Sequence, residues 1–202
     1  MFIILYIMIK NPFIKNIEYT RISLDAYYMN SNIKNNLFNI LKKKLENKCN
    51  KNGYIDKIYR ITEYSDGIIR AENFNGSAIY DIAYYCKIYN PSENKVIIGF
   101  IKIINQELII AIHGPIVIFI PKDKIDLNIW NLENNTFINK IKKKELALGD
   151  YITIRLENVR INQNDTQIKT LGSLIDIPNK EEIDMYFLYN NNEDNKESNY
   201  II

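Results

Sequence analysis

The sequence predicts an α+β protein of two units: one main helix on a small antiparallel sheet, then a closed five-stranded β-barrel. Three observations predict it. Only Ile33 to Lys48 carries apolar residues at sustained helical spacing. Residues Lys95 to Lys122 hold two β-branched apolar runs, Val96 to Ile104 and Leu108 to Ile120, parted by Asn105-Gln106-Glu107; the second is cut by Gly114-Pro115. Glycine and proline close turns, so this stretch reads as three consecutive antiparallel strands. Two more strand-like segments follow, and with the mid-strand Gly99 they meet what a small barrel requires.

In chain order, Met1 to Ile9 is apolar but lacks a basic leading segment and a cleavage site, so an extension or edge strand is expected rather than a secretory signal, with Met8 an alternative start. Phe13 to Leu24 alternates irregularly, as a strand with a following turn. Ser31 or Asn32 can cap the helix, whose Ile33, Leu37, Ile40, Leu41 and Leu45 share one face. Lys34, Lys42, Lys43, Lys44 and Lys48 occupy the other, a solvated surface or a basic contact for nucleic acid or an acidic partner. Gly53 permits a turn into a short strand, Tyr54 to Ile61, and Tyr64-Ser65-Asp66-Gly67 loops to another, Gly67 to Glu72. Ser77 to Tyr89 is a third strand, ending at Asn90-Pro91-Ser92, where the seam between units is expected.

The domains are therefore placed at 1–90 and 91–178, with a tail at 179–202. Asp123 to Glu145 is poorly periodic and reads as an insertion between barrel strands, partly helical or irregular; its Trp130 is a lid on a small core or a base-stacking platform. From Tyr151 to Ile161 the alternation is strict until the phase slips at Asn158, where a bulge is expected. Asn162-Gln163-Asn164-Asp165 turns into the closing strand, Thr166 to Asp176. Beyond Pro178 the chain is acidic and, apart from Met185 to Tyr189, reads as flexible.

A hydrophobic content of 47 % over 202 residues is ample for a packed core. Net charge is +2, but 179–202 sets six acids against two lysines, so that segment carries −4 and the rest +6. A mildly basic body permits contact with nucleic acid without demanding it. The apolar runs fall short of the roughly 18–20 residues of a membrane span, so no membrane association is expected. Cys49 and Cys86 are far apart and lack CxxC partners; they read as buried thiols in a reducing compartment. The single histidine, His113, has no second histidine with which to hold a metal, and no phosphate loop, GxGxxG or GxSxG motif occurs. No catalytic residue, metal or cofactor is expected, and binding or assembly is the better role.

Several segments carry a resemblance. Leu41-Lys42-Lys43-Lys44-Leu45-Glu46-Asn47-Lys48-Cys49 ends the helix; Asn52-Gly53-Tyr54 leads into the next strand; Tyr80 to Pro91, with Tyr84, Lys87 and Asn90-Pro91, approaches the barrel. Ile112-His113-Gly114-Pro115-Ile116 with Phe119-Ile120 makes a turn and the strand after it, and Gly149-Asp150 with Arg155 and Arg160, then Leu171-Gly172-Ser173-Leu174, fall in the last two strands. Over about Ile14 to Asp176, in unbroken order, these resemble the larger stalk subunit of multisubunit DNA-directed RNA polymerases, the seventh subunit of eukaryotic polymerase II and its archaeal counterpart.

The resemblance implies an N-terminal ribonucleoprotein-like domain that docks on the polymerase core subunits, an oligonucleotide-binding (OB-type) barrel that contacts nascent single-stranded RNA, and a small helical stalk partner. It assigns docking to Gly53, Tyr54, Asp66 and Gly67, and RNA contact to Lys102, Arg155, Arg160 and Lys169. The loop between Tyr64 and Ser77 is poorer in glycine and proline than the family pattern. Asn105-Gln106-Glu107-Leu108 stands where RNA-binding relatives place phenylalanines around a glycine. The AT-rich bias in composition suits a viral homologue, acting at the site of transcription in the nucleus, or in virion and host cytoplasm. The alternatives are a free-standing OB-fold protein for single-stranded nucleic acid and an interaction protein with an acidic partner.

Overall fold

The computed structural model describes residues 11–71, 75–133 and 136–187, which fall into two compact units. One comprises Phe13–Asn90 with Ile161–Thr166; the other is built around Pro91–Arg160 and the segment from Gln167 onward. The readings of Met1 to Ile9 and of the tail beyond 187 lie outside the described residues.

In the first unit β1 (Phe13–Leu24), α1 (Ile33–Leu45), β2 (Lys48–Asn50), β3 (Gly53–Tyr64) and β4 (Ala78–Tyr89) form an antiparallel sheet of order β1-β4-β3-β2, with α1 packed on one face. Alternation along β1 and β4 turns Ile22, Leu24, Ile82, Tyr84, Cys86 and Ile88 toward Leu37 and Leu41 of the helix. Asn32 is the N-cap residue, but its side chain makes no capping hydrogen bond; Asn36 instead donates from Nδ2 to the Tyr28 carbonyl at 2.8 Å. The helix stops three residues short of Lys48. Glu46 turns extended, Asn47 adopts a left-handed φ of 61° and donates its N–H to the Ile55 carbonyl, and the chain enters β2.

The strand β3 is longer than Tyr54 to Ile61 because it is bulged. Its register against β4 shifts after Ile55, after Ile58 and after Ile61. The inward residues therefore recur every third position rather than every second, and each repeat sends two side chains to the opposite face. The expected strand from Gly67 to Glu72 is corrected: only an isolated bridge, Ile68 to Ile79, forms there, and Glu72 lies outside the described residues.

The second unit holds β5 (Val96–Ile104), β6 (Leu108–His113), β7 (Ile116–Pro121), β8 (Trp130–Glu133), β9 (Thr136–Asn139), β10 (Tyr151–Arg160) and β11 (Ile168–Asp176). Five of these close into a barrel of order β10-β11-β7-β6-β5, with β5 pairing back onto β10. Every pairing is antiparallel except β7 with β11, which is parallel, so the barrel is mixed; this order fits the OB type. The phase slip near Asn158 is a register shift between Leu156 and Asn158.

Two expectations need correction. The insertion, expected to be partly helical or irregular, holds a hairpin as well: after a 3₁₀ turn at Lys122–Lys124 come β8 and β9, with Trp130, Phe137 and Leu146 fully buried. Trp130 is thus core and not a platform for bases. In the segment beyond Pro178, read as flexible apart from Met185 to Tyr189, residues 180–187 are helical.

The barrel interior is narrow where β10 and β11 meet. A Cβ built on Gly172 would stand 2.6 Å from Ile154 Cγ2 and 2.9 Å from Ile118 Cγ2. Replacing Gly172 with Val is expected to lower stability by about 1–3 kcal/mol through overpacking, read as a shifted urea midpoint.

Cys49 and Cys86 are buried thiols, neither in a disulfide. Burial, followed by Asp165 for Cys49 and Glu18 for Cys86, pushes the thiols up to about 11 and about 12. From the ordinary 9.0 upward the unfolded chain loses these protons while the folded chain keeps them, so their contribution to stability is full below pH 9 and falls as pH rises toward 11. Native protein at pH 8 should not react with a thiol reagent, urea should release both thiols, and a Cys49→Ala, Cys86→Ala variant should lose less stability between pH 9 and 10.

Candidate nucleic-acid interface

In a barrel of this order the outer surface of the second and third strands, with the loops after the first and fourth, is the surface suited to oligonucleotides. Here those strands are β6 and β7. Ile109, Ala111 and Ile118 point inward and are buried, which leaves Ile110, Ile112, Val117 and Phe119 outward and half-buried. Register extends them into rows. Ile103 stands opposite Ile110, Ile110 opposite Phe119, and Phe119 beside Leu171. The ends of this row are open, Ile103 at 46 % and Leu171 at 42 % exposure. A second row runs Phe100, Ile112, Val117, Lys169, Arg160.

Arg160 and Lys169 therefore sit directly across from each other, both exposed, at the base of the β10-β11 loop. Arg155 is exposed farther back along β10, opposite Ser173 and Val96. Two residues on, Glu157 lies 2.8 Å from Lys124; that hydrogen bond holds the carboxyl below its usual range and raises the lysine, so the acid is compensated. Lys102 is exposed at the β5 bulge opposite Ala111 and Ile110, six residues along β5 from Val96 and so about 20 Å from Arg155 along the strand. Of the four sequence-predicted cations, two are brought together and two stand apart.

At the β5-β6 turn Asn105 Oδ1 accepts from the N–H groups of Glu107 at 3.0 Å and Leu108 at 2.8 Å, so this loop is a tight polar turn with no ring to offer. Phe100 faces outward in the second row, and Phe119 in the first. Its row escaped sequence reading because residues 108–120 are apolar on both faces, and alternation has nothing to mark. His113 is buried, and its Nδ1 lies 2.9 Å from the Ile98 carbonyl; a carbonyl only accepts, so Nδ1 carries the proton. The ring packs edge-on to Tyr186 at 5.3 Å, a structural role. Among the described residues no group of three His, Cys, Asp or Glu is placed to hold a metal, and no helix is long and apolar enough to cross a membrane.

The four docking candidates divide in two. Gly53 and Tyr54 are buried: Gly53 has φ +141°, and Tyr54 packs edge-on against Tyr89 at 6.4 Å while its hydroxyl lies 3.4 Å from Asn47 Oδ1. Burial, then Asp56, raises the Tyr54 phenol. Asp66 and Gly67 are exposed, in a loop tied back by Ser65 N–H to the Asp81 carbonyl and presenting Ile68 and Ile69 at 61 % and 60 % exposure.

No protein-family model matches the chain. It is 34 % identical over 166 residues to a protein of Acanthamoeba polyphaga mimivirus that carries the provisional name of a DNA-directed RNA polymerase subunit, spanning 82 % of this chain and 83 % of the relative. The chain belongs to this family of viral RNA polymerase subunits.

Within this polymerase subunit Gly53 shapes the lead into β3: an added Cβ would meet the Tyr89 carbonyl at 2.3 Å. Gly53→Ala is expected to cost about 1–3 kcal/mol, measured by urea unfolding, because the strain adds to the collision with backbone.

Proposed function

We propose that this non-catalytic RNA polymerase subunit is the larger stalk subunit, docking on the polymerase core, pairing with a small helical subunit and contacting nascent single-stranded RNA at the site of transcription. The observation that carries the reading is the closed barrel of order β10-β11-β7-β6-β5 in a chain akin to a polymerase subunit over most of its length. Docking falls to the exposed loop around Asp66 and Gly67, where adjacent Ile68 and Ile69 form an apolar pair of the kind that buries against a protein partner. RNA contact falls to the outer barrel, where Arg160 and Lys169 meet phosphates and the apolar row beside them excludes water. Without a ring at the β5-β6 turn this contact depends on charge and tolerates any sequence.

Affinity purification of the tagged full chain from infected cells should recover large polymerase subunits and a small helical partner; recovery of neither would favour the free-standing module. In the same preparation Arg160→Glu with Lys169→Glu should lower the salt slope of RNA binding by about 1.4, two phosphate contacts at about 0.7 each. An unchanged slope removes the barrel face from the account.

A further inference from the structure

We infer that residues 188–202 lie along the second outer row of the barrel when no RNA is bound, setting Glu193 and Asp194 against Lys169 and Arg160. Transcript and tail then compete for one surface. The inference rests on the barrel contact proposed above and adds its regulation.

Phe187, the last described residue, stands at the head of that row. The Asn179 N–H donates to Glu182 Oε2 at 2.8 Å where the last helix begins, and the helix brings Tyr186 and Phe187 to His113, with ring centroids 5.3 and 6.5 Å away. Phe187 also lies 5.4 Å from Tyr151, and Tyr151 5.7 Å from Phe100. Since Tyr151 pairs with Phe100, the row runs Tyr151, Phe100, Ile112, Val117, Lys169, Arg160 around the barrel. Its five strand spacings of about 4.8 Å make about 24 Å. Leu188 to Asp194, extended at about 3.3 Å per residue, reach about 23 Å. The first two acids after Phe187 therefore come level with the two cations.

Order and charge match as well as length. Leu188 and Tyr189 follow Phe187 where the row offers Phe100, Ile112 and Val117; Asn190 to Asn192 carry no charge; Glu193-Asp194 come last. Over 188–202 three carboxylates stand against Lys196, a net charge of −2. Among the described residues no ion pair engages Arg160 or Lys169, whereas Glu157 is held by Lys124 at 2.8 Å and Glu107 by Lys122 at 3.9 Å. Asp165 in the β10-β11 loop accepts from Asn162 Nδ2 at 3.0 Å, and with it counted the two cations still leave this end of the row positive.

The test uses the full chain. A carbodiimide, which joins a carboxylate to an amine in contact with it, should link Lys169 to 188–197 in the RNA-free chain, and a 12-nucleotide uridine RNA should remove that link. Glu193→Gln with Asp194→Asn should abolish the link and tighten RNA binding about tenfold at low salt. A tethered segment acts at an effective concentration of about 1 mM, so a contact with a Kd of about 0.1 mM blocks about nine sites in ten. Raising the salt should erase the difference. Links confined to other lysines, or equal RNA affinity for the two chains, overturn the inference. If Arg160→Glu with Lys169→Glu then still weakens RNA binding, the barrel contact stands without the tail. If that pair changes nothing and RNA leaves the link in place, the barrel reading itself fails, and the competition with it.

Discussion

Closure of the barrel depends on one parallel pairing. Setting Ile168 beside Ile116 and Leu171 beside Phe119 joins strands far apart in the chain, with the insertion and β10 lying between them in sequence. Because side chains alternate, that register decides at once what fills the interior and what faces out: Ile116, Ile118, Ile168 and Thr170 go inside, Val117, Phe119, Lys169 and Leu171 outside. A slip of one residue would bury Lys169 and expose Ile168. The same register brings Lys169 next to Val117 and, through β10, opposite Arg160, so the cationic end of the outer surface is a consequence of how the interior is packed.

The first unit solves a different problem. Three bulges in one strand sacrifice regular ladder bonds, and the groups they free need partners. Two are visible. The Ile58 N–H donates to Glu46 Oε1 at 2.7 Å, tying the residue that ends α1 to the strand beneath it, and Thr62 Oγ1 donates to the Ala83 carbonyl at 2.9 Å. The gain is that Ile55, Ile58 and Ile61 all stay in the core under the helix despite a three-residue spacing that would carry an unbulged strand out of phase.

Where local pattern and tertiary packing agreed, the sequence was legible. Phe13–Leu24, Ser77 to Tyr89, the three strands from Val96 and the alternating strand from Tyr151 were all readable, because each is bounded by turn residues or carries a clear period. The spacing of β3 was readable only in part: Ile55, Ile58 and Ile61 mimic neither a period of 2 nor a sustained period of 3.6, and only pairing with β4 explains them. The β8-β9 hairpin was hidden because its strands are four residues each, too short for periodicity to register. Of the candidate cations, sequence identified the residues but not their grouping, since Arg160 and Lys169 meet only through register. The rings and cations of the outer sheet were invisible for the same reason: Lys15, Tyr59 and Tyr85 come from three separate strands.

The two cationic surfaces differ in what lies beneath the charge. On the barrel, Arg160 and Lys169 end a row that otherwise holds Phe100, Ile112 and Val117, beside a row of aliphatic side chains around Phe119. On the sheet, Lys15, Lys57 and Arg60 ride on tyrosines. Among the described residues neither surface offers a row of amide side chains aimed at base edges, so nothing on either would read a nucleic-acid sequence.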